Sequence, residues 1–260
     1  MEKIDPLKTA KELETFIKKT LNEEGIAGAL IGVSGGIDSA TSLTLAVRAL
    51  GPEHVYPVLL PYGMLNTAGT SNAKLVISDL GIPKKHTRTV DIQPMTDSFF
   101  AYDKEIDAPR LGNVMARMRM AVLYDLAKKL NYLVIGTENK TEHRLGYYTR
   151  FGDEASDIEP LRNLYKTQVY ALAAYLGVPE KILKSAPTAG LWEGQTDEGE
   201  FGFTYQVADA VLELHYDKKF SRQEIIKKGY DRKTVERIWW WIEKGELKDR
   251  LPYMDTEQIS

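Results

Sequence analysis

The sequence predicts an α/β fold built on a doubly wound parallel sheet, and three observations predict it. Short apolar runs alternate with longer amphipathic segments in the order β, α, β, α, β across about seventy residues. The first run passes into a glycine-rich turn and then a helix, an arrangement found at the carboxyl edge of parallel sheets. The chain has 260 residues and 43% hydrophobic content, enough to fill the core of one domain near the upper size limit. Residues 1–260 are therefore expected to form one unit, a Rossmann-like sheet with helices in its C-terminal part.

Residues 6–22 carry Leu7, Leu13, Ile17 and Leu21 on one side among lysines and glutamates, the pattern of an amphipathic helix. Residues 27–31 are a continuous apolar run suited to a strand buried on both faces, and residues 40–50 have helical composition. A second apolar strand follows at 54–60. Residues 67–80 read as a helix stopped by Gly81 and Pro83, and 86–92 alternate as a third strand. Residues 113–130 predict a strong helix with Val114, Met118, Ala121, Val122 and Leu126 on the buried side, and 132–137 a fourth strand. Periodicity is lost from 146 to 166, then a helix resumes through Leu176. The tract 184–205 combines Gly190, Gly194, Gly199 and Gly202 with Glu193, Asp197, Glu198 and Glu200. Its polarity predicts a mobile lid, with a plain surface loop as the alternative. Residues 208–246 read as helical and contain Trp239, Trp240 and Trp241. Consecutive helical positions spread around the circumference, so part of that surface is expected to meet another subunit.

Bulk chemistry removes several classes of function. Net charge is −3 and the sequence pI is about 5.9, so no global positive field recruits nucleic acid. The N-terminal residues are charged and no apolar run approaches the roughly 18 residues of a membrane span, which predicts a cytoplasmic protein. Zero cysteines exclude disulfides, thiolate metal sites and every thiolate mechanism. The four histidines are scattered without metal-ligand spacing and suit surface or capping roles.

The residues with chemistry to explain are Gly32, Val33, Ser34, Gly35, Gly36, Ile37, Asp38 and Ser39, directly after the first strand. Two adjacent glycines let backbone N–H groups approach an anion, and the start of a helix favours negative charge there. No lysine precedes Ser39, so this is not the common GxxxxGK[ST] loop. Asp38 beside a polyphosphate reads either as a ligand of a bridging magnesium ion or as a complement to the helix dipole. Thr137 ends the fourth strand on the same rim as Ser34, and reads as a ligand contact, as the N-cap of the next helix, or as both.

The SGGxDS pattern resembles the PP-loop ATP pyrophosphatase superfamily, which implies cleavage of ATP between its α and β phosphates. Further motifs follow in order: Gly112-Asn-Val-Met-Ala-Arg-Met-Arg-Met120, Gly136-Thr-Glu-Asn-Lys-Thr-Glu142, Tyr148-Thr-Arg-Phe-Gly-Asp-Glu-Ala-Ser-Asp157, Leu164-Tyr-Lys-Thr-Gln168 and Ala186-Pro-Thr-Ala189. Together they resemble the ammonia-dependent NAD synthetases over nearly the whole span from Gly32 to Tyr205. The resemblance implies a ligase that joins ammonia to deamido-NAD through an adenylated carboxylate, the last step of NAD biosynthesis, with ATP as co-substrate and magnesium as cofactor. It implies ATP contacts at 32–39, Thr137, Lys166 and Thr188, and magnesium ligands at Asp38 and Glu142. Arg117, Arg150, Asp157 and Lys248 are implied to hold deamido-NAD, and Asp38, Lys166 and Glu142 to be catalytic. A homodimer is implied as well.

Two departures stand out. Arg150 occupies a position that is usually lysine, and the family's terminal His-Lys-Arg cluster is replaced by Leu247-Lys-Asp-Arg-Leu-Pro252. The chemistry agrees independently: a carboxylate is a poor electrophile, and adenylation gives it a good leaving group. Without a thiol the chain cannot release ammonia from glutamine by cysteine chemistry, so free ammonia is the expected donor unless a separate glutaminase subunit supplies it. The competing expectations are another PP-loop adenylating enzyme, such as a GMP synthetase ATPase subunit or a tRNA-modifying enzyme, and a nucleotide-binding module without chemistry.

Overall fold

Asp5 starts the first helix by accepting hydrogen bonds from the backbone N–H groups of Leu7 (3.0 Å) and Lys8 (3.2 Å), with Pro6 in the first position. The computed structural model describes residues 2–103, 105–192 and 194–249. Its elements are α1 (Pro6–Glu23), β1 (Ala29–Gly32), α2 (Ile37–Leu50), β2 (Val55–Leu59), α3 (Thr67–Asp79), β3 (Arg88–Thr89), α4 (Gln93–Phe99) and α5 (Ala108–Leu130). There follow β4 (Leu133–Ile135), α6 (Lys140–Leu145), α7 (Lys166–Leu176), α8 (Glu180–Leu183), α9 (Asp197–Phe201), α10 (Tyr205–Leu212), α11 (Arg222–Lys227) and α12 (Arg232–Asp249).

The four strands are parallel in the order β3-β2-β1-β4, with Leu30 opposite Tyr56 on one side and Val134 on the other. From β1 the chain steps outward to β2 and β3, then returns to place β4 on the opposite flank. The order therefore reverses between β1 and β4, and the crevice beyond their carboxyl ends is the expected ligand position. Side chains alternate across the sheet. Ala29 and Ile31 join Ile17, Leu43 and Leu172 beneath α1, α2 and α7, while Leu30 joins Val58, Met115 and Val134 beneath α5. A third cluster gathers Leu145, Tyr165, Phe201, Val211 and Ile238 among the C-terminal helices. Among the described residues no helix is long and apolar enough to cross a membrane.

Three expectations are corrected. The third strand shrinks to Arg88 and Thr89, both exposed, because it lies at the sheet edge with β2 as its one partner and His86 is drawn into a preceding 3₁₀ turn. The 208–246 stretch is not continuous: a π-helical turn, Glu213–Asp217, ends α10, and Gly229 at φ +98° separates α11 from α12. The tract 184–205 is not uniformly a mobile lid. Its second half is anchored by Phe201, fully buried, and Tyr205, 2% exposed. Its carboxylates are occupied too, Glu198 accepting from Tyr205 N (2.9 Å) and Glu200 from Gln195 Nε2 (2.6 Å). Glu193 lies outside the described residues.

Trp239 and Trp241 both pack on the third cluster, since α12 sits in a concave seat that covers more than one of its faces. Trp240 remains 39% exposed, with Lys244 Nζ 3.7 Å and Arg237 Cζ 4.4 Å from its ring centroid. The helix reaches this seat through a close approach of two glycines. A Cβ built on Gly146 would lie 2.2 Å from Gly245 Cα.

Candidate active site

The turn after β1 owes its shape to Gly35, whose φ of +83° disfavours other residues and whose Cβ would lie 2.0 Å from Gly69 O at the start of α3. Ser34 Oγ accepts from Gly36 N (3.2 Å) and lies 3.0 Å from Ser39 Oγ, which donates to Gly36 O (3.1 Å). These bonds tie the loop to itself through its two serines. Gly36 is the N-cap of α2 and offers no side-chain cap, so the first N–H groups of the helix keep their capacity to bind an anion. The helix begins at Ile37 rather than at residue 40, which puts Asp38 in its first turn.

Asp38 reaches across to Lys166, the first residue of α7. Lys166 Nζ lies 2.6 Å from Asp38 Oδ2 and 2.9 Å from Glu142 Oε1, and 4.8 Å from the Tyr205 ring centroid. Lys166 is 2% exposed. Local structure fixes all three charged groups. Asn139 caps α6 by accepting from Glu142 N (3.0 Å), Glu142 Oε2 accepts from Asn139 N (3.4 Å), and Asn139 Nδ2 donates to Asp38 Oδ1 (2.9 Å). The N-cap is therefore Asn139 and not Thr137. Buried Asp209 fixes the other helix, accepting from Thr141 Oγ1 (2.5 Å), Thr167 N (2.8 Å) and Thr167 Oγ1 (2.7 Å). Thr141 Oγ1 in turn accepts from Lys166 N at 2.9 Å.

Two carboxylates share this one ammonium, and the charge of a third, Asp197, acts on it from farther away. Burial opposes the Lys166 charge, but Asp38 and Glu142 outweigh it and hold its pKa above the ordinary value. Burial pushes the Glu142 carboxyl up to about 8, with Lys166 opposing and Asp38 and Asp197 adding to the rise. Asp197 is raised as well, burial first, although it accepts from Tyr205 Oη (2.8 Å) and Tyr147 Oη (3.2 Å). The excess of hard oxygen donors over cations suits a divalent ion. Among the described residues no group of three or more His, Asp or Glu is placed to hold a metal, so the protein would supply two carboxylates at most. Magnesium is usually held by one or two carboxylates with substrate phosphate and water, and the residues present fit it.

A cavity of about 450 Å³ lies beside this cluster. Residues 32–39, Thr137, Glu142, Lys166 and Thr188 all line it, so the ATP and magnesium positions expected from the sequence come together. The four residues expected to hold deamido-NAD do not line it. Arg117 and Asp157 are exposed, Arg117 Nε donating to Arg150 O (3.3 Å) and Asp157 Oδ2 accepting from Val134 N (2.7 Å). Lys248 donates to Gly146 O (2.6 Å) and to Tyr148 O, at the end of α6. Arg250, Leu251 and Pro252 of the divergent C-terminal motif lie outside the described residues.

Sequence reasoning missed Asn139, Asp197, Tyr205 and Asp209. The Asn139-x-x-Glu142 spacing is a capping-box pattern and was available as a signal. Nothing local marks the other three.

The model of the NAD synthase family matches residues 9–252. A relative from Pyrococcus horikoshii, an NH(3)-dependent NAD(+) synthetase, is 44% identical over 238 residues, 91% of this chain and 91% of that one. Among solved structures, the NMN synthetase from Francisella tularensis is similar with a TM-score of 0.86 and 37% identity, covering 97% of this chain and 99% of that one. The NH3-dependent NAD synthetase from Campylobacter jejuni, in complex with the nitrate ion, is similar with a TM-score of 0.81 and 31% identity, over 96% and 99%.

Proposed function

The chain belongs to the NAD synthase family, and from that membership we propose how its residues divide the reaction. The reaction is the ATP-dependent amidation of deamido-NAD by ammonia, a ligase step that completes NAD biosynthesis. A nicotinate carboxylate oxygen attacks the α-phosphorus of ATP, the α–β bridging P–O bond breaks, and pyrophosphate leaves with the electron pair. Ammonia then attacks the acyl carbon and loses a proton, and AMP departs with the oxygen that joined it to the acyl group.

Residues 32–39 receive the phosphates, with Thr137 and Thr188 as further ATP contacts. Lys166 neutralises charge growing on the pyrophosphate, which is electrostatic stabilisation needing no covalent nucleophile. Magnesium held by Asp38 and Glu142 would supply further charge neutralisation at the phosphates. Arg117, Arg150, Asp157 and Lys248 receive deamido-NAD, Lys248 through the one ammonium N–H not already given to a carbonyl. These four stand on the outside of the cavity, and we propose that a second copy of the chain closes over them in a homodimer. The need for ATP supports a cytoplasmic location.

The observation that carries this reading is the Asp38–Lys166–Glu142 contact beside an uncapped helix start in one cavity. The test offers the purified protein ATP and ammonium with deamido-NAD, nicotinate mononucleotide, XMP or no acceptor, and follows AMP, pyrophosphate and amide. Deamido-NAD is expected to give the three products in equal amounts and to outpace the mononucleotide. Release of ADP and orthophosphate would overturn the adenylation, and preference for the mononucleotide would overturn the choice of acceptor.

A further inference from the structure

Two cationic side chains line the cavity among the described residues, Lys166 and Arg119. Lys166 is committed to two carboxylates. Arg119, on α5, is not: its Nε donates to Leu60 O at 3.1 Å, just past the end of β2, and among the described residues no carboxylate forms an ion pair with it. A guanidinium carries five N–H donors, so four remain directed elsewhere. Arg119 is partly buried, and loss of solvent draws its pKa down to about 10 with Asp153 as the one carboxylate working against that. Asp153 is itself engaged, accepting from Thr149 N at 2.7 Å. A partly buried cation without a matched anion gains little from its position in the fold, and such unmet charge concentrates at binding sites.

The reaction brings two anions into contact, the acceptor carboxylate and the α-phosphate, and their approach needs positive charge that the carboxylates around Lys166 have not already absorbed. We infer that Arg119 is a substrate contact whose guanidinium binds the oxyanion of the nucleotide α-phosphate or of the attacking carboxylate. The inference rests on the functional reading above, which supplies those anions. The alternative is a strut, in which the Nε bond to Leu60 O merely ties α5 to β2.

The experiment compares wild type, Arg119→Met and Arg119→Lys by thermal melting without ligand, by the melting shift with ATP alone and with deamido-NAD alone, and by steady-state kinetics. Arg119→Met is expected to melt at or above the wild-type temperature, because an unmatched, partly buried charge is gone. Since Arg119 is only partly buried, that melting expectation rests on its having no carboxylate partner among the described residues; the variant is expected to lose the ligand-induced shift for the anion Arg119 binds, and the arm that fails identifies that anion. Its kcat/KM is expected to fall on the order of 10²-fold, as when one oxyanion donor is removed. Arg119→Lys falls between, and added guanidinium restores part of the Arg119→Met rate. A lower melting temperature with both ligand shifts and the kinetics intact would show a strut and overturn the inference. Wild-type protein that makes no NAD would sink the functional reading instead, while the two ligand-shift arms still decide Arg119.

Discussion

Lys166 concentrates the most chemistry in one side chain, since its ammonium is what lets Asp38 and Glu142 stand together under cover. Lys166→Met removes the cation and leaves the carboxylates facing each other; breaking a buried pair from one side costs about 3–5 kcal/mol. The loss depends on pH. Protonation relieves the carboxylates in acid, so the drop in melting temperature is expected to be small at about pH 6 and large at about pH 9. An equal drop at both would mean that packing, not charge, is what the lysine supplies. Wild type has its own slope. The Glu142 carboxyl, pushed from 4.5 to about 8, keeps in the folded state a proton that the unfolded chain has released, so stability falls as pH rises between those values and levels off above. Glu159 acts in the same direction, raised from 4.5 to about 8 chiefly by burial, with Glu138 nearby adding to it. Melting temperatures are therefore expected to fall from about pH 5 to about pH 8, and Glu159→Gln to flatten the fall. A rise over that interval would contradict the assigned directions.

The six residues of α6 are too few to be stable alone, and tertiary contacts at both ends hold them. At the start, the Asn139 cap also donates to Asp38, so Asn139→Ala is expected to cost about 1–2 kcal/mol and, unlike an ordinary cap, to weaken ATP-dependent turnover as well. Unchanged kinetics with lowered stability would separate the cap from the site. At the other end, Gly146 closes α6 against Gly245 of α12. A Cβ on Gly245 would come within 2.8 Å of Gly146 N, so Gly245→Ala is expected to cost about 1–3 kcal/mol and to loosen the Lys248 contacts. These elements also mark how far sequence can be read. The cradle was legible because its glycines, serines and aspartate are contiguous and follow an apolar strand. The union of Asp38 with Glu142 and Lys166 was not, because Lys166 lies 128 residues from Asp38, and only resemblance to a family joined them. The end of the supposed lid was misread because its acidic residues look solvated in sequence while in the fold they are acceptors for Tyr205, Tyr147 and Gln195. The π turn after α10 leaves no pattern at all.

At the scale of the whole molecule, α7 connects the parts: it packs on α1 and α2 under the sheet and on α10 of the C-terminal cluster, and it begins at Lys166. The sheet and the C-terminal helices therefore have no independent border, and we propose one domain that unfolds in a single transition; two separate calorimetric peaks would refute that. The chain's own side chains also bear on the nitrogen donor. Releasing ammonia from glutamine by acyl transfer needs an activated nucleophile, usually a thiol, and the chain contains no cysteine. Three of the buried hydroxyls are already engaged, Thr41 and Thr44 bonding back to Ile37 O and Ala40 O within α2 and Thr141 held by Asp209. Ammonium salts are therefore expected to sustain NAD formation and glutamine alone to give none. Because neutral ammonia is the attacking species, the rate at fixed total ammonium is expected to climb with pH and to go on climbing above about pH 8, where the loss of stability described above has levelled off. The two effects separate experimentally, since added ligand restores stability by mass action while leaving the ammonia fraction unchanged. Turnover on glutamine by the isolated protein, or a rate indifferent to the neutral fraction, would remove free ammonia from the mechanism.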